Sequence, residues 1–163
     1  MAVIDSIILA AGSSSRMGSP KQHLAVNGTT LLLHTLQAHL QSGALRRIVV
    51  VLGSEAASMQ SLMPGNEAET IINPKWETGM GSSLKAGLSH LLKSTAIPEA
   101  ILISVCDQPL LTSGVISGLT EKVASDLIIA SRYSSDETGP TGPPALFRSE
   151  EHTSELQSLR HLV

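Results

Sequence analysis

An α/β fold built on a mostly parallel sheet is predicted by three features of this 163-residue chain. Short apolar runs of the kind that suits strands covered on both faces recur along it, at Ile7 to Ala11, Ile48 to Leu52 and Ala100 to Val105. The stretches between them carry leucines at helical spacing, with capping residues at their ends. The rhythm is strand, helix, strand, helix, which favours right-handed crossovers and parallel neighbours.

In chain order, Ile7-Ile8-Leu9-Ala10-Ala11 runs into Gly12 and reads as a buried first strand. Thr29 or Thr30 can cap a helix to about Gln41, with Leu31, Leu32, Leu36 and Leu40 at helical spacing and Gly43 closing it. His34 and His39 are five apart rather than the three or four of a helical metal pair, so both are assigned to surface or packing roles. Arg46-Arg47 reads as the solvated start of a second strand, Ile48 to Gly53. Ser54 begins a helix that Pro64-Gly65 stops, and Glu69 to Ile72 is a third strand ending in Asn73-Pro74. A helix with Leu84, Leu88, Leu91 and Leu92 on its apolar face follows, then a fourth strand from Ala100 to Val105. Thr112 caps a further helix to about Ala124, and Asp126 to Ala130 is a fifth strand. Ser134 to Pro144, rich in Gly and Pro, reads as loop.

Composition narrows the class. The length suits one domain with a sizeable core. Trp76, Tyr133 and Phe147 are the only aromatics, so that core is built from Leu, Ile, Val and Ala. A formal charge of -3 and the lack of stacking platforms argue against nucleic-acid binding. The single cysteine, Cys106, rules out an internal disulfide, fits a reducing compartment and suits a small buried role. No signal peptide or membrane span is apparent, so a cytoplasmic protein is expected.

The stretch SIILAAGSSSRMGSPK, residues 6–21, carries the chemistry. Gly12 and the serines from Ser13 onward leave little side chain in the way, so backbone N–H groups can approach an anion. Arg16 and Lys21 add charge, and the loop sits at the carboxyl end of the first strand, where open parallel sheets place ligands. It is neither common glycine loop. Five residues rather than four separate Gly12 from Gly18 and Ser-Pro precedes Lys21, against a P-loop, and Ser14 stands where a dinucleotide fingerprint needs its second Gly. A plain strand-to-helix loop with incidental basic residues is the alternative. Two further stretches are informative. Gly79-Met80-Gly81-Ser82-Ser83 opens a helix whose free N–H groups suit an anion or a base carbonyl, or is simply a serine-capped start. Asp107, after the fourth strand, can hold Mg²⁺ on nucleotide phosphates or cap the turn before Pro109.

LAAGSSSRMGSPK resembles the signature loop of the nucleotidyltransferases with a MobA-like domain, and within them the molybdenum cofactor cytidylyltransferase group. The Trp76, Gly79-Met80 and Ser82-Ser83-Leu84 pattern and the DQPL segment from Asp107 are similar to that family's as well. The resemblance implies a three-layer α/β/α, Rossmann-like fold of the nucleotide-diphospho-sugar transferase type. It implies Ala10, Ala11 and Gly12 around base and ribose, Leu9 and Ser13 also nucleotide-binding, Arg16 and Lys21 on the triphosphate, Ser82 and Ser83 beside the nucleotide, and Asp107 as the Mg²⁺ ligand. Catalysis would then rest on Arg16, Lys21 and Asp107. Ala10-Ala11 before the glycine points to CTP ahead of GTP. The acceptor implied is the terminal phosphate of a molybdopterin-type cofactor, and the protein partner a molybdoenzyme or its chaperone. Gly142, Pro143 and Leu146-Phe147 loosely resemble a family stretch near the second substrate. Two other readings stay open: a nucleotidyltransferase for a sugar phosphate or other phosphorylated small molecule, and a non-catalytic nucleotide-binding or cofactor-delivery module.

From Arg148 the pattern changes. RSEEHTSELQS looks like the translation of a sequencing-library adapter, so the domain is expected to cover 1–147, with 148–163 a non-native tail. The Gly-Asp that the family carries after this point to help hold the metal does not occur after Phe147. The chain is therefore expected to bind nucleotide weakly and turn over little.

Overall fold

The computed structural model describes residues 2–12, 24–26, 28–63, 65–123, 128–134 and 138–149. Ser13, Arg16 and Lys21 lie outside the described residues, as do 150–163. The elements are β1 (Ile4–Ala10), β2 (Ala25–Val26), β3 (Thr29–Thr30), α1 (Leu31–Ser42), β4 (Arg47–Leu52), α2 (Ala56–Gln60), β5 (Glu69–Ile72), α3 (Met80–Leu91), β6 (Ala100–Val105), α4 (Ser113–Thr120), β7 (Ile128–Arg132) and β8 (Thr141–Arg148).

Six strands form one sheet in the order β5-β4-β1-β6-β8-β7. β4 and β6 flank β1 in parallel, and β5 adds in parallel to β4. β8 runs antiparallel to β6, and β7 antiparallel to β8. The chain leaves β1 towards β4 and β5, then crosses back to place β6 on the other side of β1. This reversal makes the carboxyl ends of β1 and β6 a topological switch point, where open α/β sheets bind ligands. The register puts Leu9 opposite Val105, so Ala10 with Cys106, and then Ala11 with Asp107, follow at the same edge.

The sheet is buried on both faces, as continuous apolar strands require. α1 seals one face with Leu32 and Leu36, which pack with Ile8, Val50, Leu52 and Met59 of α2. α4 extends that layer with Ile116 and Leu119 against Ala100, Leu102 and Leu146. α3 covers the other face through Leu88 and Leu91, against Ile7, Leu9, Val49, Val51, Ile101 and Ile103. Gly87 lets α3 sit close, because a methyl group there would lie 2.8 Å from Ile7 Cγ2. The caps hold as expected: Thr30 Oγ1 accepts from Leu33 N, Thr112 Oγ1 accepts from Val115 N, and Gly43 ends α1 in the left-handed conformation at φ 63°.

Three expectations need correction. Thr141 to Pro144 is not loop: it forms the first half of β8, pairing with β7 across a register shift between Ala130 and Ser131. The helix after Ser54 is a short one starting at Ala56, with Glu55 in the left-handed region at φ 58°. Arg46 and Arg47 are more than a solvated strand start. Arg46 Nε and Nη2 donate to both oxygens of fully buried Asp5, at 2.9 and 2.7 Å, and Arg47 makes the same fork to Glu69 at 2.7 and 2.9 Å. Hydrogen bonds from Arg47, and then from His90, outweigh burial and hold the Glu69 carboxyl at about 2.

His39 takes the packing role. It is 1% exposed between α1 and the sheet, with Nδ1 2.8 Å from the Thr35 carbonyl oxygen and Nε2 3.0 Å from Ser104 Oγ on β6. Burial pushes its pKa down to about 4, so it is neutral at physiological pH.

Candidate active site

β1 delivers the first wall of the site. Leu9, Ala10 and Ala11 are buried and Gly12 is exposed, so the backbone surfaces at Gly12. The end of β4 fastens this outlet: Ser54 N donates to the Ala11 carbonyl at 3.3 Å, and Ser54 Oγ to the Gly12 carbonyl at 3.1 Å. Gly53 is where three segments meet. A methyl group there would lie 2.5 Å from the Ala11 oxygen and 2.6 Å from Trp76 Cβ, closer than atoms can approach. Trp76 thus packs the loop after β5 against the β1 outlet.

The second wall is the start of α3. Its N-cap is Gly79, at φ 111°, with no side-chain capping bond, so the serines do not cap the helix. Buried Asn73 ties them down instead, donating from Nδ2 to Ser82 Oγ at 2.8 Å and to Ser83 Oγ at 3.0 Å. Asn73 N also donates to the Leu52 carbonyl at 2.8 Å, which fixes this loop to β4.

Asp107 forms the partition. It leaves the carboxyl end of β6 beside the β1 outlet, where Cys106 N donates to the Leu9 carbonyl at 3.2 Å. Asp107 is exposed, while Cys106 is buried in the core, the role expected of it. On the far side of Asp107 opens a cavity of about 640 Å³ between the β6–α4 loop and the β7–β8 hairpin. Its walls include Gln108, Leu110, Val115, Arg132 and Tyr133. The hairpin is latched to the Asp107 loop. Gln108 Nε2 donates to Tyr133 Oη at 3.2 Å and to the Pro143 carbonyl, and Tyr133 Oη donates to that same carbonyl. Gly142 leaves room for the ring, since a methyl group there would lie 2.9 Å from Tyr133 Oη.

The structure thus gathers Leu9 to Gly12, Ser82, Ser83 and Asp107 along one sheet edge; Ser13, Arg16 and Lys21 fall outside the described residues. Sequence did not single out Gly53, Ser54, Asn73, Gln108 or Arg132 for the site. Asn73-Pro74 was legible as a turn and Gln108 as part of DQPL, but their partners lie too far along the chain for spacing to reveal them.

A sheet whose β1 outlet at Gly12, α3 start and Asp107 meet at a topological switch point has the arrangement of an α/β nucleotide-binding protein. The chain belongs to the MobA-like NTP transferase domain family, whose model matches residues 6–162. Nicotine blue oxidoreductase of Paenarthrobacter nicotinovorans is 29% identical over 133 residues, covering 81% of this chain and 63% of that protein. The 2-C-methyl-D-erythritol 4-phosphate cytidylyltransferase of Leptospira interrogans is 37% identical over 134 residues, 78% of this chain and 55% of that enzyme. The chain therefore spans less than two thirds of these relatives' lengths. Among solved structures, Rv0371c of Mycobacterium tuberculosis H37Rv superimposes with a TM-score of 0.77 at 25% identity, over 99% of this chain and 84% of that one. The same mycobacterial protein is also known in complex with manganese, at a TM-score of 0.71 and 22% identity over 98% of this chain and 82% of that one. These neighbours share the three-layer fold with its mostly parallel sheet.

Proposed function

We propose that this chain transfers a cytidylyl group from CTP to the terminal phosphate of a molybdopterin-type cofactor, releasing pyrophosphate. The observation that carries this reading is the position of Asp107, which stands between the β1 outlet on one side and the 640 Å³ cavity on the other. Nucleotide then lies against Leu9 to Gly12, Ser82 and Ser83, and the acceptor enters the cavity. The predominantly apolar walls, Leu110 and Val115 among them, suit a flat heterocyclic body, and Arg132 suits its phosphate.

In the proposed reaction an acceptor phosphate oxygen attacks the α-phosphorus in line. A new phosphorus–oxygen bond forms, the bond to the bridging oxygen breaks, and pyrophosphate leaves, so no protein nucleophile is needed. Arg16 and Lys21 offset charge on the triphosphate. One exposed carboxylate at a strand end fits Mg²⁺, which keeps several waters and takes phosphate oxygens as its other ligands. When bound, the ion neutralises charge on the phosphates. Manganese on the mycobacterial relative supports a divalent ion here.

The likeness to a methylerythritol phosphate cytidylyltransferase favours a second acceptor class, a phosphorylated polyol. Incubation with CTP or GTP, Mg²⁺ and each acceptor, followed by mass spectrometry, separates the readings. A cytidylylated pterin product with pyrophosphate is expected; a cytidylylated polyol alone would favour the second. We propose 1–147 as the domain proper and 148–163 as a non-native extension, with Arg148 still pairing with Ala100 at the end of β8 and the family model matching residues 6–162. Among the described residues no helix is long and apolar enough to cross a membrane, and a cytoplasmic site of action is part of the proposal.

A further inference from the structure

We propose that Tyr133 determines acceptor specificity: its ring, fixed at the wall of the cavity beside Asp107, is a platform that selects planar heteroaromatic anions over flexible phosphorylated polyols. The inference rests on the reading of that cavity as the acceptor site. Tyr133 follows β7 and lines the cavity, yet it is 57% exposed, so burial does not account for its place. Contacts at one end hold it. Its hydroxyl donates to the Pro143 carbonyl and accepts from Gln108 Nε2 at 3.2 Å, and its backbone N–H donates to the Pro140 carbonyl at 3.0 Å. Gly142 lies against the same end: a methyl group there would stand 2.9 Å from Oη, 3.0 Å from Cε2 and 3.3 Å from Cζ.

These contacts decide what the side chain can offer. A phenol has one proton to give, and Pro143 takes it, while Gln108 occupies an acceptor position. The hydroxyl is therefore committed to the latch, and the ring is what remains for a ligand. Contacts gathered at the hydroxyl and the Cε2 edge leave most of that ring uncovered. Holding an exposed aromatic in one orientation gives up rotamer freedom in advance, so a ligand that stacks on it does not lose that freedom again. A flat π system gains from such a platform and a flexible polyol does not. The neighbouring walls favour the same ligand. Leu110 and Val115, 88% and 41% exposed, present apolar surface that would leave the hydroxyls of a polyol unmatched. Arg132 adjoins Tyr133 and is the one cation among the cavity's described walls, so the ligand carries an anion beside its ring system.

Tyr133 is the only tyrosine of the chain, so isotope-labelled tyrosine gives a single set of ring signals by NMR in the full-length protein. Titration with pterin-6-carboxylate, a planar fluorescent anion, should move those signals upfield, as a ring stacked over them does; erythritol 4-phosphate should not. Fluorescence for the pterin and calorimetry for the polyol phosphate give the affinities. Tyr133→Leu should weaken the pterin by about tenfold and leave the polyol phosphate unchanged, whereas Tyr133→Phe, which keeps the ring, should hold the pterin within about threefold. Arg132→Ala should weaken both probes. Thermal melts identify the folded variants; if Tyr133→Leu does not fold, the upfield shift in wild type decides. Equal loss for both probes or no loss in a folded Tyr133→Leu, or no upfield shift in a wild type that binds the pterin, would overturn the role of Tyr133 and leave the acceptor cavity standing. Tighter binding of the polyol phosphate than of the pterin would overturn it and favour the second acceptor class. Binding of neither probe, or binding indifferent to Arg132→Ala, would refute the cavity as the acceptor site and the platform with it.

Discussion

Lowering the pH from 7 to 5 should destabilise this protein through His39, and replacing His39 by Gln should remove that part of the pH dependence. The imidazole is held neutral with a pKa near 4, against 6.5 when unfolded. Between those values the unfolded chain binds a proton that the folded chain does not, so stability rises with pH across that window. The stabilisation is complete above about pH 6.5 and is lost as pH falls towards 4. The displacement corresponds to about 3 kcal/mol, of which about 2 kcal/mol disappears by pH 5. Urea unfolding at pH 7, 6 and 5 measures it. His39→Gln costs about 1–2 kcal/mol at pH 7 through weakened contacts to Thr35 and Ser104, but its profile should be flatter than wild type by the amount above. Glu69 cannot mimic the effect, because its depressed carboxyl titrates between about 4.5 and 2, below this window. Parallel profiles for the two proteins would refute the reasoning.

Three other outcomes are expected. Asp107→Asn should abolish metal-dependent nucleotidyl transfer in a protein that still folds; turnover at the wild-type rate would reject its role. Gly53→Ala forces the Ala11 carbonyl and Trp76 apart, so it should cost about 1–3 kcal/mol in denaturant melts and weaken CTP binding in calorimetry. Arg46→Ala leaves the fully buried Asp5 carboxylate without its fork and should destabilise by about 3 kcal/mol at pH 7; an unchanged denaturation midpoint would show that Asp5 finds another partner.

The parallel half of the sheet was legible because its strands are covered on both faces, and Ile48 to Leu52 or Ala100 to Val105 can scarcely be anything but buried. β8 was not, because Gly142-Pro143-Pro144 has the composition of a turn. It is a strand only because β6 and β7 offer it a place at the antiparallel side of the sheet, and prolines are tolerated near a strand's start. The same limit hid the partners of Arg46 and Arg47, which lie 41 and 22 positions away. At the site, Asp107 and the serines stood out by chemical type at element ends. Asn73, Gly53 and Ser54 could not, since each matters through a contact with a different strand's outlet.

The reversed hairpin divides responsibility within the molecule. Everything facing the β1 outlet hangs from the parallel strands, whereas the far side of Asp107 is shaped by the hairpin, held to the Asp107 loop by Gln108 and to β6 by one ladder. A change of hairpin sequence can therefore recontour one half of the active centre without disturbing the other. On the proposed reading, such a division would let one nucleotide-handling half be paired with successive new acceptors, and would make β7 and β8 the segment to exchange when redirecting it.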